Sequence, residues 1–168
     1  HIARFRAAAT DPAVRAQGAS GGFVTALLSF LFDSGVIDAA VVAGADEREP
    51  WRSVARVVTS PEGLRECAGS RYTLVPTNAA LREVKGRCAL VGLPCQVLGF
   101  RKYERRDPTA SERIPLVIGI FCGVNLDPRA TLHILKELGV EDRSEVTHYG
   151  SRSENYGGAR AVLKDGRT

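Results

Sequence analysis

Apolar positions along this chain switch between two spacings, and the switches outline a succession of helices and strands. Over 20–34 the apolar residues Phe23, Val24, Leu27, Leu28, Leu31 and Phe32 recur at helical spacing, which predicts a helix with Ser20 as N-cap and Gly35 just past its end. The mostly apolar run 36–43 predicts a buried strand, and a second strand is predicted at 54–59 after the polar loop 45–50. Ser60-Pro-Glu-Gly63 starts a short helix with proline at its first position, ending near 67–69. A helix over 77–85 is closed by Gly86, a strand follows at 88–91, a helix at 94–102 and a strand at 115–121. Asp127-Pro128 caps a helix that runs to Leu138 and stops at Gly139, and 146–149 and 159–163 read as late strands.

Helices alternating with strongly apolar strands predict an α/β fold, a mostly parallel or mixed sheet covered by helices on both faces. The chain is 168 residues long, enough for one sizeable core. It divides into an N-terminal part, 1–78, with a glycine-rich loop, and a C-terminal part, 79–168, with two cysteines at strand ends. Glycine-rich 150–158 reads as a surface loop or lid.

Composition narrows the classes. The longest apolar stretch, 23–32, is broken by Thr25 and Ser29 and falls short of the ~18 residues that span a bilayer, so no membrane span is expected. The formal net charge is +4, and the basic run Arg101-Lys-Tyr-Glu-Arg-Arg106 reads as a solvated helix end rather than a nucleic-acid patch. No nucleic-acid partner is expected. The first residues lack a signal-peptide core, the chain has no Met, and the turn signal Asp165-Gly166 has no strand after it, so a piece of a longer protein is expected. Cys67, Cys88, Cys95 and Cys122 form no C-x-x-C pair, which argues against a closed zinc site or a disulfide framework and for a reducing, cytoplasmic setting.

Three segments could carry chemistry. Gln17-Gly-Ala-Ser-Gly-Gly22 leads into a helix, and its glycines let backbone approach a ligand whose anionic group would meet free N–H groups; Ser20 and Thr25 add hydroxyls. The pattern matches neither dinucleotide nor Walker fingerprints, and an N-capped helix with a flexible entry explains it equally well. In Cys67-Ala-Gly-Ser-Arg-Tyr72, Gly69 and Ser70 could present backbone donors and Arg71 could pair with a phosphate, although a helix C-cap followed by an ordinary strand is the simpler reading. Gly92-Leu-Pro-Cys95 and Gly119-Ile-Phe-Cys122 each end an apolar run in a thiol, placed where α/β sheets bind ligands. Cys95 at a helix start suits a nucleophile, with His133 or His148 as base, or a metal ligand; Cys88, inside a strand, reads as core.

Taken in order, Gly18-Ala-Ser-Gly-Gly-Phe-Val-Thr25, Ala68-Gly-Ser-Arg-Tyr72, Val91-Gly-Leu-Pro-Cys-Gln96 and Gly119-Ile-Phe-Cys-Gly123 resemble the beta subunit of coenzyme F420 hydrogenases and dehydrogenases. That family also includes formate dehydrogenase beta subunits and 7-hydroxymethyl chlorophyll a reductase. The resemblance implies an electron-relaying flavoprotein oxidoreductase, with FAD held in part by Gly18, Ala19, Ser20, Gly21, Gly22, Thr25, Gly69, Ser70 and Arg71. It implies a 4Fe–4S cluster ligated in part by Cys95 and Cys122, coenzyme F420 as hydride partner of the flavin, and a larger hydrogenase or dehydrogenase subunit as partner. The chain departs from the family pattern in having no cysteine after Cys122, where further ligands are expected. A Cys95-dependent transferase or hydrolase, and a docking module without cofactors, are the alternatives. The pattern leaves open whether the chain forms a homo-oligomer.

Overall fold

The computed structural model describes residues 3–152 and 157–168. Its centre is a four-stranded mixed sheet in the order β2-β1-β3-β4, with β1 at Ala39–Ala45, β2 at Ser53–Val58, β3 at Cys88–Gly92 and β4 at Leu116–Gly119. β1 and β2 pair antiparallel because only a short polar turn joins them; the Asp46 carboxylate accepts from the Arg48 and Glu49 N–H groups inside that turn. β1, β3 and β4 run parallel, so their connections cross over the sheet faces.

Alternation along the strands sorts the core into two layers. Ala40, Val42, Ala89 and Val91 face one side, covered by α2 (Phe23–Asp33) and α3 (Pro61–Glu66) through Leu28 and Leu64. Ala39, Val41, Cys88 and Leu90 face the other, covered by α4 (Thr77–Ala80), α5 (Pro94–Glu104) and α6 (Ala110–Arg113) through Ala80, Phe100 and Ala110. The predicted α/β sheet with helices on both faces is therefore present. A third cluster lies apart from the sheet: α7 (Pro128–Glu137) packs Leu135 against Val146, Tyr149 and Ala161 of a hairpin formed by β5 (Val146–Gly150) and β6 (Arg160–Leu163).

The differences from expectation have local causes. The helix predicted over 20–34 starts at Phe23, with Gly22 as N-cap at φ 68°; Gly21 is also left-handed at φ 82°, so the chain turns there and Ser20 is left in the turn, capping nothing. The helix predicted over 77–85 lasts four residues, and the turns after it let Leu81 and Val84 pack on the sheet. α1 (Pro12–Gln17) is not predicted, because only Val14 is buried and no apolar period marks it; the Asp11 carboxylate caps it by accepting from Ala13 N at 2.8 Å. The strand predicted over 115–121 ends at Gly119, and the chain then leaves the sheet. The loop expected over 150–158 lies partly outside the described residues. Among the described residues no helix is long and apolar enough to cross a membrane.

Cys88 is fully buried in β3, and burial pushes its thiol from 9.0 to about 11. The folded state thus keeps this proton after the unfolded chain has lost it. The contribution is intact below pH 9 and fades as pH rises through 11. In urea titrations stability is expected to fall by up to about 1.4 kcal/mol per pH unit across that window. Cys88→Ala should remove that share of the pH dependence; an unchanged slope would contradict it.

Candidate functional site

Parallel strands β1, β3 and β4 end on one side of the sheet, and a cavity of about 490 Å³ opens there. The C-terminal edge of an open α/β sheet is where such folds take ligands, and the volume falls in the range of about 300–1,000 Å³ typical of small-molecule sites. Four segments wall it.

The first wall is the turn between α1 and α2. A Cβ added to Gly18 would stand 2.4 Å from Gly22 Cα, and one added to Gly22 would stand 2.4 Å from the Val14 carbonyl oxygen. The glycines let the turn fold down onto the end of α1. Gly18, Ala19, Ser20, Gly22 and Thr25 line the cavity. Gly21 does not; it packs on Ala8, and its carbonyl accepts from Ala9 N at 2.7 Å.

The second wall follows α3. Gly69, at φ 106°, has open space where a side chain would be, and Ser70 and Arg71 line the cavity beside it. Arg71 Nη1 donates to the Pro50 carbonyl at 3.3 Å, and no ion pair to a carboxylate is formed by this guanidinium among the described residues. Burial lowers its pKa against the opposing pull of Cys67 and Tyr149. Cys67 also borders the cavity; burial pushes its thiol up, and Gly44 leaves the room it occupies, since a Cβ there would stand 2.6 Å from Sγ.

The end of β5 ties these walls together. Tyr72 N donates to Ser151 Oγ at 3.2 Å, Ser151 N to the Ser70 carbonyl at 3.3 Å, and Arg152 Nη2 to Ser20 Oγ at 3.3 Å.

The third wall is the turn from β3 into α5. Pro94 opens the helix, and Gln96 braces the turn: its Oε1 accepts from Leu93 N at 2.7 Å and its Nε2 donates to the Val75 carbonyl. Asn78 Nδ2 donates to the Gln96 carbonyl at 2.9 Å. Gln96 stands in the motif Val91–Gln96 but carries no predicted role there, although a glutamine at the third helical position is a capping signal. Thr73 and Thr77 carry no predicted role either, because they have no pattern of their own; both are buried at the cavity wall, and neither hydroxyl has a hydrogen-bond partner among the described residues.

The fourth wall, 120–124, leaves the end of β4 and brings Cys122 to the cavity. Gly92 pairs with Gly119, so Cys95 and Cys122 each lie three residues beyond a paired glycine on neighbouring strands. Both thiols are exposed, but Cys95 is not part of the lining. Among the described residues no three His, Cys, Asp or Glu side chains gather into a metal site, and no hydrogen bond joins Cys95 to His133 or His148. The nucleophile reading thus gains nothing from the geometry.

Two buried hydroxyls without partners and a half-buried guanidinium without a carboxylate among the described residues, with an open backbone at Gly69, fit a flavin, which presents a polar ring edge and anionic phosphates. Two thiols are half the donor set of a 4Fe–4S cluster, so the described residues do not complete one.

These features place the chain among the α/β domains whose ligand cleft lies at the carboxyl ends of parallel strands. Residues 4–82 match the family described as "Coenzyme F420 hydrogenase/dehydrogenase, beta subunit N-term", and residues 85–168 match the C-terminal half of the same beta-subunit family. The chain therefore belongs to the coenzyme F420 hydrogenase/dehydrogenase beta-subunit family. It is 32% identical over 144 residues to the coenzyme F420 hydrogenase subunit beta of Methanothermobacter thermautotrophicus, covering 80% of this chain and 50% of that protein. It is 28% identical over 162 residues to the F420-dependent formate dehydrogenase 1 subunit beta of Methanococcus maripaludis, covering 94% of this chain and 40% of that protein. The chain thus spans half or less of the length of these relatives. A chain of the F420-reducing [NiFe] hydrogenase complex from Methanosarcina barkeri shares the fold, with a TM-score of 0.75 at 22% identity over 95% of this chain and 56% of that one.

Proposed function

We propose that this chain is the flavin-binding part of an electron-transfer oxidoreductase subunit, in which FAD exchanges a hydride with coenzyme F420 in the cavity at the strand ends. The observation that carries the reading is the cavity itself: the 18–25 turn, the 69–71 segment and the 120–124 loop, distant in sequence, wall one space. Family membership supplies the chemistry, since the relatives' names state F420-dependent hydrogenase and formate dehydrogenase subunits.

Each residue then has a task. Gly18, Ala19, Ser20 and Gly22 bring backbone and a hydroxyl to the ligand, with the start of α2 behind them; Gly21 holds the turn's shape. Thr25 adds a hydroxyl on the first turn of that helix. Gly69 and Ser70 leave space along the opposite wall, and Arg71 pairs with the phosphates. Bound FAD would couple the two-electron hydride of F420 to single-electron transfer. Cys95 and Cys122 would be two ligands of a 4Fe–4S cluster, whose remaining ligands would come from outside the described residues, and a larger hydrogenase or dehydrogenase subunit would be the partner. Free thiols at Cys95 and Cys122 suit a reducing, cytoplasmic setting.

Reconstituting the full chain with FAD and adding reduced F420 without oxygen tests the reading. The flavin absorbance is expected to bleach with one reduced F420 per flavin. Protein that takes up no flavin, or a bound flavin that reduced F420 leaves oxidised, overturns it.

A further inference from the structure

Thr77 is the most deeply buried polar side chain on the cavity wall, 2% exposed, and its Oγ1 has no hydrogen-bond partner among the described residues. The backbone and Gln96 side-chain groups around it are paired within the protein, whereas Oδ1 of the next residue, Asn78, also has no hydrogen-bond partner among the described residues. Thr77 N donates to the Val75 carbonyl at 2.9 Å, Leu93 N donates to Gln96 Oε1, and Gln96 Nε2 donates to Val75 as well. None of these bonds uses the Thr77 hydroxyl. Gly92 keeps this corner open: a Cβ there would stand 3.2 Å from Gln96 Cβ and 3.9 Å from Thr77 Oγ1. The remaining lining here is apolar, Val75, Val91 and Leu93. Thr73 is less specific, because it borders both this cavity and a smaller neighbouring one.

A buried hydroxyl without a partner is costly in the empty protein, and the cost is recovered when a ligand atom pairs with it. An apolar slot with one such hydroxyl suits the edge of a planar heteroaromatic ring, whose faces are apolar and whose rim carries carbonyl and N–H groups. It does not suit a phosphate, because no Lys or Arg among the described residues is shown bonded at this corner; Arg71 lines the wall that follows α3.

We propose that Thr77 binds the polar rim of the ligand's ring and so fixes which end of the cavity the ring occupies, with Arg71 holding the phosphate end. This rests on the flavin reading above. Two probes, FAD and lumiflavin, which is the ring without ribityl chain or phosphates, separate the two roles.

The test is a fluorescence titration of the full chain and its variants with each probe, together with thermal melts without ligand. Thr77→Val should weaken FAD and lumiflavin alike, by about tenfold, and Thr77→Ser should restore both. Arg71→Ala should weaken FAD and leave lumiflavin unchanged. Without ligand, Thr77→Val should melt higher than the parent by about 2–4 °C, because the unpaired hydroxyl is gone. Unchanged lumiflavin affinity in Thr77→Val overturns the inference and leaves the flavin reading standing. A lower ligand-free melting temperature also overturns it, since the hydroxyl then has a partner in the protein. A parent chain that binds neither probe overturns the flavin reading and the inference with it.

Discussion

Gly22→Ala is expected to destabilise the protein by about 3 kcal/mol or more and to abolish flavin binding with it. Two costs add at this position. The residue sits at φ 68°, which an L side chain enters at a cost of about 1–2 kcal/mol. The new Cβ would also stand 2.4 Å from the Val14 carbonyl oxygen and 2.9 Å from its carbon. Those are backbone atoms at the end of α1, so no side-chain rotation relieves the clash. The turn must lift off α1, and the turn is a wall of the cavity. Gly35 separates the two costs: it has a similar φ of 62° but open space around it, so Gly35→Ala bears only the first. Urea titrations of both variants should differ by about 2 kcal/mol, with only Gly22→Ala losing flavin. Equal destabilisation would mean that the turn is not packed on α1 as described.

Arg71→Ala is expected to weaken FAD about 10- to 100-fold while leaving the ligand-free protein as stable as the parent, or slightly more so. The affinity change follows from removing a charged donor from a phosphate. The stability change follows from burial: in the empty protein this guanidinium is partly desolvated and, among the described residues, is shown donating to one carbonyl, Pro50, at 3.3 Å. Arg71→Lys should recover part of the affinity, because an ammonium keeps the charge but not the planar fork. High salt should narrow the gap between parent and Arg71→Ala. FAD affinity unchanged in Arg71→Ala would remove this residue from the site.

The layers of the fold are readable in the sequence because buried strands and two-sided helices leave strong periodic signals. Cys88–Gly92 and Ala39–Ala45 are apolar throughout, as strands covered on both faces must be. Proline and acid or hydroxyl caps mark the starts of α3 and α7, with Ser60 and Asp127 accepting as expected. What the pattern misses is set by contacts between distant segments. Ser20 has the residue type of a helix cap, but two left-handed glycines follow it and move the helix start to Phe23. Arg71 is visible as a phosphate candidate by type alone; its lack of an ion pair is a property of the fold. Thr73 and Thr77 are silent, since an unpaired hydroxyl looks like any threonine until its surroundings are known. Cys95 and Cys122 are legible as a pair, and the Gly92–Gly119 register explains their common placement. Of these two, Cys122 lines the cavity and Cys95 does not.

That difference provides the most direct measurement of whether the ligand occupies this cavity. Both thiols are exposed, so both should react with an alkylating reagent in the ligand-free protein. With saturating FAD, alkylation of Cys122 should slow at least tenfold, while Cys95 continues at its ligand-free rate. FAD that binds but leaves the rate at Cys122 unchanged would show that the flavin lies elsewhere and would contradict a site at these strand ends.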